Sequence, residues 1–190
     1  IKIVTWNINS VRLRAPIVAD MMRILEPDIV CLQETKCPDE LFPSQIFADQ
    51  GYTHQHFHGM KSYNGVAILS KIPFTGKDIH HRCGKEDCRH IAARFNGFEL
   101  HNIYIPAGGD IPDPLENEKF AHKLDFVDEL NGWFKDRCSN DQNIIAVGDF
   151  NIAPLEHDVW SHKQLLKVVS HTPGEVEKLT GFYKSLEGVD

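Results

Sequence analysis

This sequence has no long apolar run. Its longest uncharged apolar stretches, such as Ile29 to Leu32 and Ile144 to Gly148, fall far short of the roughly 20 residues that a spanning helix needs. A membrane segment is therefore not expected. Nor is there an excess of base: 20 Lys and Arg against 27 Asp and Glu leave a net charge of −7. Bulk charge cannot draw such a chain to nucleic acid. A local basic face or a bridging divalent cation would have to do so. Repeats and low-complexity tracts are absent. With 42% hydrophobic and 25% charged residues over 190 positions, a disordered or collagen-like chain is excluded and one domain with an ordinary core is expected over 1–190. The five cysteines, Cys31, Cys37, Cys83, Cys88 and Cys138, are odd in number and irregular in spacing. They are not a disulfide framework and point to free thiols in a reducing compartment, the cytoplasm. No secretory leader opens the sequence and no Asn-x-Ser/Thr acceptor occurs in it. The absent initiator Met leads us to expect that the chain is part of a longer gene product.

What is present is a series of short apolar runs that stop at polar residues. Ile1 to Trp6 predicts a strand ending at Asn7, and Asp28 to Leu32 a doubly buried strand ending at Gln33-Glu34. Between them, Val11 to Leu25 has helical spacing and Pro27 stops it. Strand, helix, strand is a parallel crossover, so Asn7 and Glu34 should project from the same sheet edge. A short helix is expected near Ser44 to Asp49, and strands at Thr53 to Phe57, Gly65 to Ser70, Ile91 to Phe95 and Phe98 to Ile105. Asn96-Gly97 is a two-residue hairpin signal. Pro106 to Pro114 reads as a loop, and Glu116 to Lys135 as a helix with a Phe120, Leu124, Phe126, Val127, Leu130, Phe134 core stripe. Asn143 to Val147 predicts a further buried strand, ending at Gly148-Asp149. Pro154 to Asp190 reads as loop and helix. The sum is an α+β sandwich of two sheets with helices outside.

Taken singly, the polar strand ends are what turn chemistry asks for. Asn7 and Glu34 could cap turns, and Asp149-Phe150-Asn151 could be an Asx turn. Their recurrence at successive strand ends, with Tyr104 ending another, points to chemistry instead. Carboxylates at buried strand ends need a compensator. A divalent cation with oxygen ligands is one, and one or two carboxylates completed by water and phosphate suit Mg²⁺.

Five segments occur in order: Trp6-Asn7-Ile8-Asn9-Ser10, Leu32-Gln33-Glu34-Thr35-Lys36, Asn64 to Ser70, Tyr104-Ile105-Pro106, and Gly148-Asp149-Phe150-Asn151-Ile152-Ala153-Pro154. Together they resemble the exodeoxyribonuclease III family of abasic-site DNA endonucleases, in the endonuclease/exonuclease/phosphatase superfamily. The resemblance implies a four-layer α/β/β/α sandwich of the DNase I-like kind. It also implies cleavage 5′ to abasic sites in base-excision repair, with 3′-exonuclease and 3′-phosphodiesterase activity. Glu34 would be the principal Mg²⁺ (or Mn²⁺) ligand and Asn7 would support the metal side. Tyr104 would contact the scissile phosphate, Asp149 would orient or deprotonate the attacking water, and Asn151 would hold a phosphate oxygen. Asn9, Arg12, Lys36 and Arg89 are candidate DNA contacts, with Arg82 and Lys85 beside Arg89. The expected partner is double-stranded DNA with abasic sites or 3′ ends, bound by a monomer.

The family normally continues past Asp190 into an Ile-Asp-His type motif and a terminal Ser-Asp-His motif, and this sequence contains neither. The closing strands are therefore expected to be missing, with the apolar faces of Ile91 to Phe95 and Phe98 to Ile105 exposed. Alternatives are a phosphoesterase of the same superfamily acting on another phosphate ester, and a catalytically incomplete DNA- or metal-binding fragment. The stretch from His80 to His90, with Cys83 and Cys88, invites a zinc reading. Its Cys spacing is at the edge of the usual range and no second knuckle follows, so a solvated loop is expected. His54, His56 and His58 alternate as on an exposed strand face. Assayed on abasic duplex with Mg²⁺, the 190-residue chain should be nearly inactive; robust turnover would remove any dependence on the two absent motifs.

Overall fold

The computed structural model describes residues 1–137 and 143–186. Cys138 and the stretch 187–190 lie outside the described residues. The chain divides into two units, Ile1–Tyr104 with Asn143–Asp149, and Ile105–Gln142 with Phe150–Asp190.

The first unit begins with β1 (Ile3–Asn7), α1 (Val11–Leu25) and β2 (Ile29–Gln33). β1 and β2 pair in parallel with Asn7 opposite Gln33, as a crossover helix requires. α1 ends at Glu26, whose left-handed φ of 47° lets its N–H bond Met22 O. α2 (Ser44–Ala48), β3 (His54–His58) and β4 (Val66–Ser70) follow, and the four strands order as β1-β2-β4-β3. A second sheet orders as β5-β6-β7-β8, from Gly76–Ile79, His90–Phe95, Phe98–Tyr104 and Ile144–Asp149. The Asn96-Gly97 turn joins the antiparallel β6 and β7. β7 and β8 are parallel, with Tyr104 opposite Asp149. Each sheet thus contains one parallel pair, and each parallel pair ends in polar residues.

Strand alternation divides the apolar residues between two cores. Val30, Leu32, Ala67 and Leu69 face α1, which buries Val11, Ala15, Val18 and Met22 on its inner stripe. Ile29, Cys31, Val66 and Ile68 point the other way, onto Ile91, Ala93, Phe95, Leu100 and Tyr104 of the second sheet. Each fully buried side chain of this kind contributes roughly 1.5–3 kcal/mol. A buried asparagine crosses the apolar layer between the sheets. Asn102 Nδ2 donates to Leu32 O (3.0 Å) and Ala67 O (2.9 Å), and its Oδ1 accepts from Gln33 Nε2 at 2.7 Å.

In the second unit, α3 (Glu118–Arg137) and α5 (Pro173–Ser185) pack through Leu130, Phe134, Leu179 and Phe182, with α4 (His162–Leu165) between them in sequence. The Phe134 and Phe182 rings meet edge-on at 5.2 Å. α5 opens with a capping box, Thr172 Oγ1 accepting from Glu175 N and Glu175 Oε2 accepting from Thr172 N, and Pro173 occupies the first turn.

Four expectations need correction. β5, too short and polar (Gly-Lys-Asp-Ile) to show in an apolar pattern, was not anticipated. With β5 on β6 and β8 on β7, Ile91, Phe95, Leu100, Ile103 and Ile105 are buried, not exposed. β8 itself is an edge strand only partly buried, because nothing among the described strands pairs its outer side. The His54, His56, His58 face is not solvated either: His56 is buried and its Nε2 meets Asp78 O at 2.9 Å.

Asn102→Leu keeps the approximate size of the side chain but removes its three bonds, leaving Gln33 Nε2 without that acceptor. A loss of about 2–4 kcal/mol is expected. It should appear as a lower urea midpoint at unchanged m-value.

Candidate active site

The polar ends of both parallel pairs meet within the first unit. Asn7, the last residue of β1, sends one amide proton to Glu34 Oε1 (Nδ2–O 2.9 Å) and the other to Asp149 Oδ2 (2.8 Å). One amide nitrogen therefore bridges two carboxylates that are 27 and 142 positions away in sequence. Its oxygen is turned to the N–H of Asn9 at 3.2 Å. Tyr104, the last residue of β7, donates its hydroxyl to the same Glu34 Oε1 at 2.9 Å. The other carboxylate oxygen, Oε2, pairs with Lys36 Nζ at 2.8 Å, and Lys36 also donates to Asn9 Oδ1 at 2.6 Å.

Backbone geometry aims these groups. Glu34 (φ 53°), Lys36 (φ 48°), Asn9 (φ 45°) and Ser10 (φ 95°) all sit in the left-handed region that side-chain-bearing residues rarely occupy. The β1–β2 pairing continues beyond the strands to hold them there, through Ile8 N to Gln33 O (3.1 Å), Ser10 N to Glu34 O (2.7 Å) and Val11 N to Thr35 O (2.9 Å). Such strain persists only where the surroundings over-determine it. Asp149 is delivered by Gly148, where a Cβ would lie 1.8 Å from Ile103 O. Only glycine lets β8 approach β7 so closely.

The electrostatics divide the groups. Burial raises the pKa of Glu34, but the bonds from Asn7, Lys36 and Tyr104 and the Lys36 charge outweigh it and hold the carboxyl below its ordinary value. Tyr104 moves the other way. Burial, then its bond to Glu34 and the Glu34 charge, push its phenol up to about 12, against a smaller opposing pull from Arg89. At neutral pH the site therefore presents an ionised glutamate and a protonated tyrosine. Glu34 and Asp149 are hard oxygen donors converging on one amide. That donor chemistry fits a hard divalent cation, with Glu34 the carboxylate kept ionised to hold it.

The remaining candidates fall in different places. Asn9 and Arg12 are exposed, Arg12 on the first turn of α1. Arg89 is turned inward: its guanidinium lies 4.7 Å from the centre of the Tyr104 ring, pairs with Asp87 Oδ2 at 2.6 Å and reaches Tyr104 O at 3.3 Å. It fixes Tyr104 rather than presenting charge to solvent. Lys85 is exposed, but Arg82 is buried. Asn151 belongs to the second unit, at φ 50°, its amide donating to Ile105 O at 2.9 Å. The sequence reading missed Lys123, whose Nζ lies 2.6 Å from the Asn151 carbonyl. The signal was there: a lysine on the apolar stripe of α3.

The zinc reading also needs revision. The stretch from His80 to His90 is not simply a solvated loop, since Arg82, Cys88 and His90 are buried. Among the described residues, His80, His90 and His101 bring ligand atoms within 4.8 Å of one another. Arg82 donates into His90 Nδ1 (3.1 Å from Nη2), so the His90 proton sits on Nε2 and points at His101 Nδ1, 2.9 Å away. His101 Nε2 faces Glu99 Oε1 at 3.1 Å. Burial, then the neighbouring His101, His80 and Arg82 charges, hold His90 well below its ordinary pKa. A cation would have to displace that proton beside a guanidinium. Arg82, His90 and His101 form a buried chain of hydrogen bonds that occupies both ring nitrogens of His90.

Comparison with known proteins agrees with the motifs. The sequence pattern of the Endonuclease/Exonuclease/phosphatase family matches residues 4–182. The chain is 29% identical over 167 residues to exodeoxyribonuclease III of Haemophilus influenzae, covering 83% of this chain and 60% of that protein. It spans about 60% of the length of the curated relatives it matches first. Among solved structures, an AP endonuclease from Archaeoglobus fulgidus is similar at TM-score 0.88 and 31% identity, covering 97% of this chain and 70% of that one. A 3′ phosphatase, NExo, from Neisseria, bound to a product DNA hairpin, is similar at TM-score 0.89 and 28% identity, with coverages of 97% and 70%. The α+β fold class expected from the strand and helix pattern is that of these DNase I-like structures.

Because the folded pKa of Glu34 lies below its unfolded value of about 4.3, its contribution to stability is complete above that pH and is lost as pH falls through the folded value. The difference in urea midpoint between wild type and Glu34→Gln should therefore be constant near neutrality and shrink on acidification below about pH 4.3. A difference that grows toward acid would mean the carboxylate is not held in its charged form.

Proposed function

The chain belongs to the endonuclease/exonuclease/phosphatase family, and on that premise we propose that its polar strand ends hydrolyse phosphodiesters in damaged DNA. The reaction is metal-dependent cleavage 5′ to abasic sites, together with release of nucleotides or blocking groups from 3′ ends. The observation that carries this reading is the Asn7 amide bridging Glu34 and Asp149. It brings two carboxylates of different surroundings to one place, which lets one serve a cation and the other a water.

Glu34, kept ionised by its three donors, holds the cation, and Asn7 orients it by occupying Oε1. A bound Mg²⁺ or Mn²⁺ supplies charge neutralisation on the non-bridging phosphate oxygens and at the leaving 3′-oxygen. Asp149 orients the attacking water and takes its proton. Tyr104, protonated at neutral pH, can turn its hydroxyl from Glu34 to a phosphate oxygen. Asn151, whose amide donates to Ile105 O, is the residue we assign to another phosphate oxygen. Asn9, Arg12 and Lys36 meet the DNA backbone, while Arg89 acts on it through Tyr104.

The substrate is double-stranded DNA, bound by a monomer. The free thiols of Cys31, Cys37 and Cys88 support the cytoplasm as its compartment. No helix among the described residues is long and apolar enough to cross a membrane. The names of the relatives include both an AP endonuclease and a 3′ phosphatase. A panel of abasic duplex, intact duplex, 3′-phosphate duplex and inositol phosphates therefore separates the DNA activities from one another and from a different phosphate ester.

Single-turnover kinetics with excess protein, which reads slow rates, should distinguish the two carboxylates. Glu34→Gln is expected to raise the Mg²⁺ concentration for half-maximal rate and to lower the rate with it. Asp149→Asn should lower the rate roughly 10²–10⁴-fold with DNA affinity nearly unchanged. Equal loss of DNA binding in both variants would mean the two roles are misassigned.

A further inference from the structure

We propose that Lys123 is a positioning residue for Asn151: its buried ammonium clamps the Asn151 main chain so that the side-chain amide stays aimed. This rests on the reading of Asn151 as a phosphate-binding group, and it concerns the second unit alone.

Lys123 lies on the apolar stripe of α3 between Phe120 and Val127 and is fully buried. Its Nζ lies 2.5 Å from Glu175 Oε1, 2.6 Å from Asn151 O, 3.2 Å from Ala107 O and 3.4 Å from Ser170 Oγ. Glu175 is equally buried and is itself held by Ser170 N, Thr172 N and Thr172 Oγ1. The ammonium therefore ties together the loop after Tyr104, the segment carrying Asn151, the segment before α5, and α5 itself. The loop lies close on the lysine stem: at Gly108 a Cβ would come within 2.8 Å of Lys123 Cδ.

Two features separate this from simple packing. A buried ion pair contributes little net stability, and an apolar side chain of similar size often serves as well or better. A leucine or methionine at 123 would continue the stripe. What only the ammonium supplies is a charged donor to the Asn151 carbonyl. The carbonyl it holds belongs to a residue in a strained conformation, φ 50°, whose side-chain amide is pinned separately to Ile105 O. Asn151 is thus fixed at two points, main chain and side chain, as a group that must meet a phosphate oxygen without reorganising would have to be. Strain of this kind relaxes when one constraint is removed.

The test compares wild type, Lys123→Met, Lys123→Gln, Glu175→Gln, Asn151→Ala and the Lys123→Met/Asn151→Ala double variant. It measures single-turnover rate and DNA affinity on abasic duplex with Mg²⁺, and the NMR shift of the Asn151 side-chain amide. Lys123→Met and Glu175→Gln both break the ion pair, but only the first removes the donor to Asn151 O. Lys123→Met should move the amide resonance and lower the rate about 10–100-fold, with affinity unchanged. Glu175→Gln should lower the rate less at similar loss of stability, and Lys123→Gln should recover part of it. In the Asn151→Ala background, Lys123→Met should cost almost nothing further. An unmoved resonance, or a Lys123→Met loss that adds in full to Asn151→Ala, overturns the proposal. Should Lys123→Met not fold, a smaller rate loss in Glu175→Gln than in Lys123→Gln supports the clamp, and the reverse order removes it. If the wild type neither binds abasic duplex nor cleaves any DNA even at single-turnover sensitivity, the functional reading fails, while the amide resonance still decides whether Lys123 fixes Asn151.

Discussion

Two carboxylates held by one carboxamide are the constraint on which the rest of the first unit depends. Glu34 and Asp149 carry like charge, and bringing them together is unfavourable unless something stands between them. Asn7 does so with its two amide protons, one to each side chain. Lys36 and Tyr104 then neutralise and hydrogen-bond the glutamate. Neither sheet could supply this alone. β1 and β2 bring Asn7 and Glu34, while β7 and β8 bring Tyr104 and Asp149. The packing of the two sheets through Ile29, Cys31, Ile68, Ile91 and Leu100 is therefore a condition of the chemistry as well as of stability.

The cost of that arrangement is concentrated in the backbone at the strand ends. Glu34, Lys36, Asn9, Ser10 and Asn151 all take positive φ without being glycine. Regular extended strands would send these side chains to alternate faces. A left-handed residue just past the strand redirects them instead. Behind them the supports are buried and polar: Gln33 and Asn102 between the sheets, Arg89 against Tyr104, and Lys123 with Glu175 in the second unit. Each ties its own segment to a neighbouring element through hydrogen bonds or a ring contact.

Much of this was legible in the order of residues. The crossover from β1 to β2 followed from apolar runs of strand length on either side of a helical stripe, and Pro27 marked where the helix had to stop. Parallel pairing then required Asn7 and Glu34 to lie together, and they do. Failures came where local pattern carried no signal. β5 is a polar tetrapeptide whose pairing with β6 is a tertiary event. The histidines of β3 alternate as a solvated face would, yet His56 is buried. The loop from His80 to His90 draws attention to its cysteines, whereas the group that assembles takes His101 from a strand beyond the next turn.

Residue type and spacing determined the strand and helix order apart from β5, the first parallel pair, and the polar residues at or just past the strand ends, Asn7, Glu34, Tyr104 and Asp149. Periodicity and turn chemistry act over a few residues and are written locally. Only the folded chain decided what those groups do to one another: that Asn7 spends both amide protons on carboxylates, that Arg89 turns inward onto a tyrosine ring, and that a lysine on a helix stripe reaches the Asn151 carbonyl. Such contacts join residues tens of positions apart, and their energies depend on burial and direction. Neither quantity exists until the chain has closed around them.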